Sequence, residues 1–249
     1  MHLSLFIDEC YPSGCDCTLL SPSPCQSVDH WREKSGMVKA FILDFDGLIV
    51  DTETPWFYAF RDIYKEHGLE LGLELWSKNV GTSFEEFHPF LYLEQALQKP
   101  IDHDHIKLLS EQKYEAYLGQ AAILPGVHEL LQSARKKGIQ LAVASSSTRD
   151  WVHGYLRTLG IFELFDVIHT AEDVKRVKPD PELYLLALES LGIGASEAVV
   201  FEDSPNGLKA AKAAGIRCVI VPNEVTRNLE FSKYDLRLTS LAEITMEVL

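Results

Sequence analysis

The chain of 249 residues is short of positive charge and of long apolar runs. It has 23 Lys and Arg against 37 Asp and Glu, which gives a formal net charge of −14. No stretch reaches the roughly 18 consecutive apolar residues that a membrane helix needs, and an acidic surface repels nucleic-acid phosphates and anionic lipids. We therefore expect neither nucleic acid nor a membrane as a partner. A small anionic substrate is still compatible, because local cations and a metal ion can reverse the charge inside one cleft.

Cysteine is almost absent from the main body of the chain. Cys218 is the one cysteine after residue 36, and the other four lie within the first 25 residues. A body without a possible disulfide is typical of a reducing compartment, and the first apolar run is too short for a secretory signal. These features predict a cytoplasmic protein.

Residues 1–36 lack sustained helix or strand periodicity, whereas regular patterns begin at Met37. We interpret this segment as an N-terminal extension, disordered by composition. Its cysteines could bind a metal, although their spacing matches no standard zinc pattern. A third hypothesis places the true translation start at Met37, since Trp31-Arg32-Glu33 can be encoded by a purine run resembling a bacterial ribosome-binding site. N-terminal sequencing of protein expressed from its native upstream DNA tests this third hypothesis, and a product that begins at Met1 would refute it.

The body of the chain has ordinary globular composition and a repeated strand and helix pattern. Apolar residues make up 46% of the sequence, enough for a sizeable core. Short runs rich in β-forming residues occur at 39–43, 140–144, 166–169, 198–201 and 217–221. Helix-length segments separate the last four: Asp180-Pro181 is expected to supply the N-cap and the first helical residue of one that runs to Leu191, and Ser204-Pro205 starts another. Strands that alternate with helices predict an α/β fold with a doubly wound parallel sheet.

The interval between the first two strands is too long for one crossover connection. Helical spacing of apolar residues appears at 56–67 and 106–118, and Ser83 to Glu86 fits a capping box. We therefore predict a helical domain over residues 53–120, inserted into a core formed by residues 37–52 and 121–249.

The first strand runs directly into two carboxylates. Asp44 and Asp46 are two residues apart, so in extended chain they project to the same side. Gly47 then allows a sharp turn. Two carboxylates in one site repel each other, and a divalent cation would keep both ionised.

Polar residues also follow the later strands. In chain order they are Ser145, Ser146 and Ser147, then Lys178, and then Glu202 and Asp203. Each group alone is typical of a turn, a helix cap or a solvated loop. Together they follow the strands of one predicted parallel sheet, at the edge where such sheets bind ligands. The combination predicts one site with hydroxyl donors, a lysine and hard oxygen ligands of the kind that Mg²⁺ prefers.

These motifs resemble those of the haloacid dehalogenase-like superfamily. Residues 44–52, Asp-Phe-Asp-Gly-Leu-Ile-Val-Asp-Thr, match its first motif, and Ser145, Lys178 and the Glu202-Asp203 pair stand where its other motifs fall. The resemblance covers residues 38–222 and implies a Rossmann-like core. The inserted helices resemble the superfamily's type 1 cap, and the nearest branch is that of the β-phosphoglucomutase-like phosphatases.

The resemblance implies a phosphatase that hydrolyses a small phosphorylated metabolite, with a sugar phosphate as the expected substrate, through an aspartyl-phosphate intermediate. Asp44 would be the nucleophile, and Asp46 would protonate the leaving alcohol and then activate water. The dehalogenases lack an acid equivalent to Asp46, so its presence favours phosphate esters of small molecules over haloacids. Mg²⁺ would be held by the Asp44 carboxylate, the Asp46 carbonyl and Asp203, with Glu202 contributing directly or through water. Ser145, Ser146 and Lys178 would bind the phosphoryl group.

Two alternatives to a phosphatase remain at this level. A β-phosphoglucomutase would carry a histidine four residues after the motif-one Thr52, where this sequence has Trp56. Trp56 is therefore a candidate substrate contact, and packing of the first inserted helix is its structural alternative. The other rival is a non-catalytic binding module, such as a degenerate member or a receiver-like domain, although receivers have no helical insertion.

Substrate selection is predicted to come from the inserted helices. Gly81 and Thr82, just before the capping box, are candidates for a loop that contacts the substrate, although a plain interhelix turn explains them equally well. We expect the protein to be a monomer.

Overall fold

The computed structural model describes residues 37–77, 88–119 and 122–244, which form a six-stranded parallel sheet with helices on both faces. The strands are β1 (Ala40–Leu43), β2 (Gln140–Ala144), β3 (Val167–His169), β4 (Ala198–Glu202), β5 (Arg217–Ile220) and β6 (Leu236–Arg237). Their order across the sheet is β3-β2-β1-β4-β5-β6. Within the described residues, no helix is long and apolar enough to span a bilayer.

The predicted doubly wound α/β fold is confirmed. All five predicted strands are present within one residue at each end, and all neighbouring strands pair in parallel. β1 lies at the centre between β2 and β4, and its four residues are fully buried. Burial on both faces explains why β1 is a continuous apolar run rather than an alternating one.

Eight α-helices connect the strands of the described chain. They are α1 (Glu53–Glu66), α2 (Leu73–Ser77), α3 (Pro89–Leu97), α4 (His103–Leu118), α5 (Val127–Lys136), α6 (Arg149–Thr158), α7 (Glu182–Leu191) and α8 (Pro205–Ala213). The Ser204 side chain caps α8 by accepting from the Gly207 N–H at 3.1 Å, as its sequence predicts. At α7, the helix begins at Glu182, one residue later than the Pro181 expected from the sequence, and the Asp180 carboxylate accepts from the Glu182 N–H at 3.1 Å.

Two apolar layers sandwich the sheet. Alternate residues of β1 supply one face each: Phe41 and Leu43 belong to the layer with α5 and α6, and Ala40 and Ile42 to the layer with α7 and α8. Period-two alternation thus divides one buried strand between two cores.

Helices α1 to α4 share a third apolar cluster, centred on Phe60, Ile63 and Tyr64 of α1. The Tyr64 hydroxyl donates to the Pro89 carbonyl at 2.6 Å and ties α1 to the start of α3. α4 begins at His103, three residues before the start that apolar spacing predicts, because the side chain of Asp102 caps it. The predicted capping box at 83–86 lies outside the described residues.

Candidate active site

A cleft of about 940 Å³ opens at the carboxyl ends of the central strands. Its lining includes Asp44, Asp46, Ser146, Ser147, Trp151, Lys178 and Asp203, together with Glu53, Trp56 and Tyr114 from the helices between β1 and β2. The strand ends therefore converge on one cavity, as the common direction of parallel strands predicts.

The floor of the cleft holds a buried lysine between two carboxylates. Lys178 Nζ lies 2.6 Å from Asp44 Oδ1 and 2.6 Å from Glu202 Oε1. The three side chains are at most 10% exposed. The hydroxyl of Tyr184, from α7, also donates to Glu202 Oε1. This pairing joins the ends of β1 and β4 to the loop before α7.

Burial sets the ionisation of this group. It raises the pKa of Asp44 to about 8, because the loss of hydration outweighs the attraction of the Lys178 ammonium, and repulsion from Glu202 and Asp46 adds to the rise. Burial and the neighbouring Asp44 and Glu202 carboxylates also hold the pKa of Asp203 well above its ordinary value. Burial alone would lower the pKa of Lys178, but the two adjacent carboxylates outweigh it and the pKa lies above its ordinary value. The lysine is thus charged at neutral pH.

Glu202 is held from both sides. Its Oε2 accepts from the Ser204 hydroxyl at 3.2 Å, while Lys178 and Tyr184 engage Oε1. A Cβ at Gly207 would stand 1.8 Å from Glu202 Oε1, so only glycine leaves room for this carboxylate beside the first turn of α8. Glu202 is therefore a hydrogen-bond acceptor in a fixed position for Lys178.

Asp203 is oriented by a residue from the loop after β5. Asn223 Nδ2 donates to Asp203 Oδ2 at 2.7 Å and to the Gly47 carbonyl at 3.3 Å. Gly47 has a φ of +77°, and a Cβ there would lie 2.2 Å from Asp203 Oδ2. Glycine is thus required both for the turn and for the approach of Asp203.

These carboxylates fit a divalent metal. Asp44, Glu202 and Asp203 are buried, and each offers an oxygen within 4.8 Å of the others. When ionised they carry three negative charges against the one ammonium of Lys178. A hard divalent cation such as Mg²⁺ suits the oxygen ligands, and its positive charge balances the excess negative charge of the three carboxylates.

The carboxylate of Asp46 accepts four hydrogen bonds at the opposite wall. Its Oδ1 accepts from Thr52 Oγ1 at 3.0 Å and from the Trp151 indole at 2.9 Å. Its Oδ2 accepts from Ser147 Oγ at 2.6 Å and from Ser145 Oγ at 3.3 Å. Asp46 is therefore held in one orientation at the edge of the cleft.

The structure brings together every predicted site residue that it describes, with different exposures. Ser145 is fully buried, its hydroxyl between Asp46 and the Ser147 N–H, whereas Ser146 is exposed on the cleft wall. Trp56 combines both interpretations, because it lines the cleft and stacks on Tyr114 at 4.0 Å between ring centroids. Gly81 and Thr82 lie outside the described residues.

Sequence reasoning did not foresee the contacts by which four residues orient the predicted ones: Ser147, Trp151, Tyr184 and Asn223. Trp151 and Tyr184 lie at ordinary apolar positions of helices, so their polar contacts have no local signal. Ser147 could have been found, since it belongs to the same serine run as Ser145.

Glu53, the first residue of α1, gives a pH-dependent prediction. Burial, with repulsion from Asp46 and Asp51, raises its pKa from 4.5 to about 7. The contribution of protonated Glu53 to the free energy of unfolding is therefore fully present below about pH 4.5 and is lost as the pH rises through 7. We expect Glu53→Gln, which mimics that form, to match the wild type near pH 5 and to exceed it near pH 8 by about 1 to 2 kcal/mol, since Glu53 is partly exposed.

Urea unfolding in metal-free buffer at both pH values measures this difference. Glu70→Gln is the matched control, because Glu70 is exposed and should show no such pH dependence. The same difference in free energy of unfolding between Glu53→Gln and the wild type at both pH values would contradict the prediction.

Comparison with known proteins gives consistent matches over most of the chain. The family model described as haloacid dehalogenase-like hydrolase matches residues 41–221. YhcW of Bacillus subtilis is 46% identical over 86% of this chain and 96% of its own length. A phosphorylated carbohydrates phosphatase of Thermotoga maritima is 35% identical over 72% of this chain and 82% of its own. The crystal structure of CbbY from Rhodobacter sphaeroides in complex with phosphate is 32% identical, with a TM-score of 0.63 over 83% of this chain and 96% of that one.

Proposed function

Because the chain belongs to the haloacid dehalogenase-like hydrolase family and is a phosphatase of it, we propose that it hydrolyses a small phosphorylated carbohydrate through a phosphoryl group on Asp44. The observation that carries this proposal is the arrangement of Asp44, paired to buried Lys178 at 2.6 Å, and the well-oriented Asp46 on one cleft. A nucleophile and an acid two residues apart are thus both held in place before the substrate arrives.

In the first half-reaction, a carboxylate oxygen of Asp44 attacks phosphorus as the bond to the leaving oxygen breaks. Asp46 gives its proton to that oxygen, so an alcohol leaves rather than an alkoxide. The Lys178 ammonium, 2.6 Å from Asp44, stabilises the negative charge that gathers on the phosphoryl oxygens. The exposed Ser146 on the cleft wall can donate to the same oxygens.

In the second half-reaction, Asp46 takes a proton from water, which attacks the phosphoryl group and frees the Asp44 carboxylate. The four hydrogen bonds to Asp46 hold the carboxylate that acts as base in one orientation. One residue therefore serves as acid and then as base, and the products are an alcohol and inorganic phosphate.

Asp44 and Asp203 are the proposed carboxylate ligands of Mg²⁺, with the Asp46 carbonyl completing the protein's share. Glu202 would support the site through Lys178, since both its oxygens already accept hydrogen bonds. When bound, Mg²⁺ would neutralise the clustered carboxylates and polarise the phosphoryl oxygens.

The walls of the cleft support a carbohydrate ester. Polar groups gather at the strand ends, whereas Trp56, Tyr114 and Trp151 form an aromatic side. Aromatic rings suit the C–H face of a sugar or polyol, and a few polar groups fix its orientation. We further propose that helices α1 to α4 form the cap that covers this substrate.

The mutase alternative is less well supported. Trp56 stands where a β-phosphoglucomutase would have its histidine, and its indole has no group that exchanges a proton near neutral pH. Its ring is stacked on Tyr114. Hydrolysis therefore fits the residues better than transfer between two positions of one sugar.

Phosphate release from a panel of sugar phosphates, β-glucose 1-phosphate included, tests the proposal. We expect release in Mg²⁺, loss of activity after treatment with EDTA, and recovery when Mg²⁺ is restored. Glucose 6-phosphate formed from β-glucose 1-phosphate without net phosphate loss would establish the mutase instead. If neither phosphate release from any ester nor formation of glucose 6-phosphate were observed, both functions would be refuted.

A further inference from the structure

We propose that Trp151 is a positioning residue for the general acid, which it holds so that Asp46 can protonate the leaving alcohol. This inference rests on the proposed phosphatase function. Trp151 lies on α6, and its Nε1 is 2.9 Å from Asp46 Oδ1, across 105 residues of sequence. It lines the cleft beside Asp46.

The indole differs from the other three partners of Asp46 in what it can do. A tryptophan N–H only donates, whereas a serine or threonine hydroxyl can turn and accept. Trp151 therefore keeps Oδ1 of Asp46 as an acceptor, whichever protonation state the carboxyl group has. The proton that catalysis needs is then assigned to Oδ2, whose partners Ser145 and Ser147 are hydroxyls.

Binding of the phosphoryl group reinforces the different roles of the two Asp46 oxygens, with Oδ1 as acceptor and Oδ2 as the carrier of the proton. Ser147 lines the cleft, and its hydroxyl can turn from Asp46 to a phosphoryl oxygen. Oδ2 then loses a donor and is available to protonate the leaving oxygen. Trp151 and Thr52, both on Oδ1, still hold the carboxyl group in that arrangement.

Stacking keeps the indole in place. Trp151 packs on Tyr155 of its own helix, with ring centroids 4.6 Å apart and ring planes tilted by 55°, and faces Tyr114 of α4 at 6.3 Å with 27° between the planes. Tyr114 in turn stacks on Trp56 of α1 at 4.0 Å. The donor to Asp46 is thus fixed by rings from both the sheet domain and the inserted helices, and its orientation costs little entropy on substrate binding.

Substitution by phenylalanine removes the N–H and keeps an aromatic ring. Two probes separate the roles: p-nitrophenyl phosphate, whose leaving group departs without a proton, and glucose 6-phosphate, whose alkoxide needs one. Single-turnover rates of leaving-group release isolate the first half-reaction, in which Asp46 acts only as acid. For Trp151→Phe we expect this rate to fall about 10- to 100-fold with glucose 6-phosphate and to change less than about threefold with p-nitrophenyl phosphate. Asp46→Asn provides the benchmark, with the same selectivity and a larger loss.

Tyr117→Phe is the matched control, since it removes the hydrogen bond of an aromatic side chain, the one that Tyr117 donates to Asp62 at 2.6 Å, at a residue that does not line the cleft. It should leave both rates unchanged. Equal slowing of the two esters by Trp151→Phe would assign it a structural role and overturn the proposal, as would no slowing of either. A wild type that hydrolyses neither ester would instead overturn the proposed function and, with it, this inference.

Discussion

Asp44→Asn should abolish phosphate release, lowering kcat/KM by at least about 10⁴-fold, because the amide cannot form the phosphoryl intermediate. The asparagine keeps the shape of the side chain and an oxygen that can accept from Lys178. Burial raises the pKa of Asp44 to about 8, so the neutral amide also suits this position without metal. We therefore expect Asp44→Asn to unfold in metal-free buffer at no lower urea concentration than the wild type.

Acid quenching during turnover measures the intermediate directly. Mass spectrometry should find one phosphoryl group on wild-type protein and none on Asp44→Asn. Asp104→Asn, at an exposed position in the first turn of α4, should retain full activity and the phosphoryl adduct. Activity of Asp44→Asn within tenfold of the wild type, with deamidation back to aspartate excluded by mass, would refute the nucleophile assignment.

Lys178→Met should be the most destabilising of these substitutions. It leaves the Asp44 and Glu202 carboxylates buried without the ammonium that now lies 2.6 Å from each. Removing one partner of a buried charge cluster costs about 3 to 5 kcal/mol. Activity should fall about 10²- to 10³-fold as well, since the phosphoryl oxygens lose a positive charge in the transition state.

Urea unfolding and steady-state rates check both parts. Lys39→Met is the control for stability, because Lys39 pairs with Glu197 at 2.5 Å on the surface with 52% of its side chain exposed. Exposed pairs of this kind contribute about 0 to 1 kcal/mol. A Lys178→Met protein with the wild-type urea midpoint would show that the buried carboxylates do not depend on this lysine.

The sequence alone was sufficient to predict the fold and the strand-end residues that meet in the cleft. Buried parallel strands are continuous apolar runs, and their punctuation by Asp, Ser, Pro and Gly marks where each ends. Because parallel strands share one direction, the residues after β1, β2 and β4 had to meet at one edge of the sheet. Asp44, Ser145 and Glu202 could therefore be placed together without any knowledge of side-chain packing.

The sequence predicted the ends of helices less accurately where a side-chain hydrogen bond determines them. The start of α4 was expected at Ile106, but Asp102 accepts from the His105 N–H and begins the helix at His103. At α7, Asp180 makes a capping contact although the helix starts one residue later than predicted. Such details depend on local hydrogen bonds that a hydrophobic pattern does not encode.

Tertiary structure alone decided how the site residues are held. The sequence predicts Glu202 as a direct or water-mediated metal ligand, but only the structure shows that Lys178, Tyr184 and Ser204 hold its two oxygens. Trp151 reads as an apolar helix residue, yet its indole reaches Asp46 across 105 positions. The strand ends converge because parallel strands run in the same direction, and the alternation of strands and helices along the sequence predicts parallel strands. Hydrogen bonds between side chains depend instead on rotamers and on the packing of distant helices, which form only when the whole core is assembled.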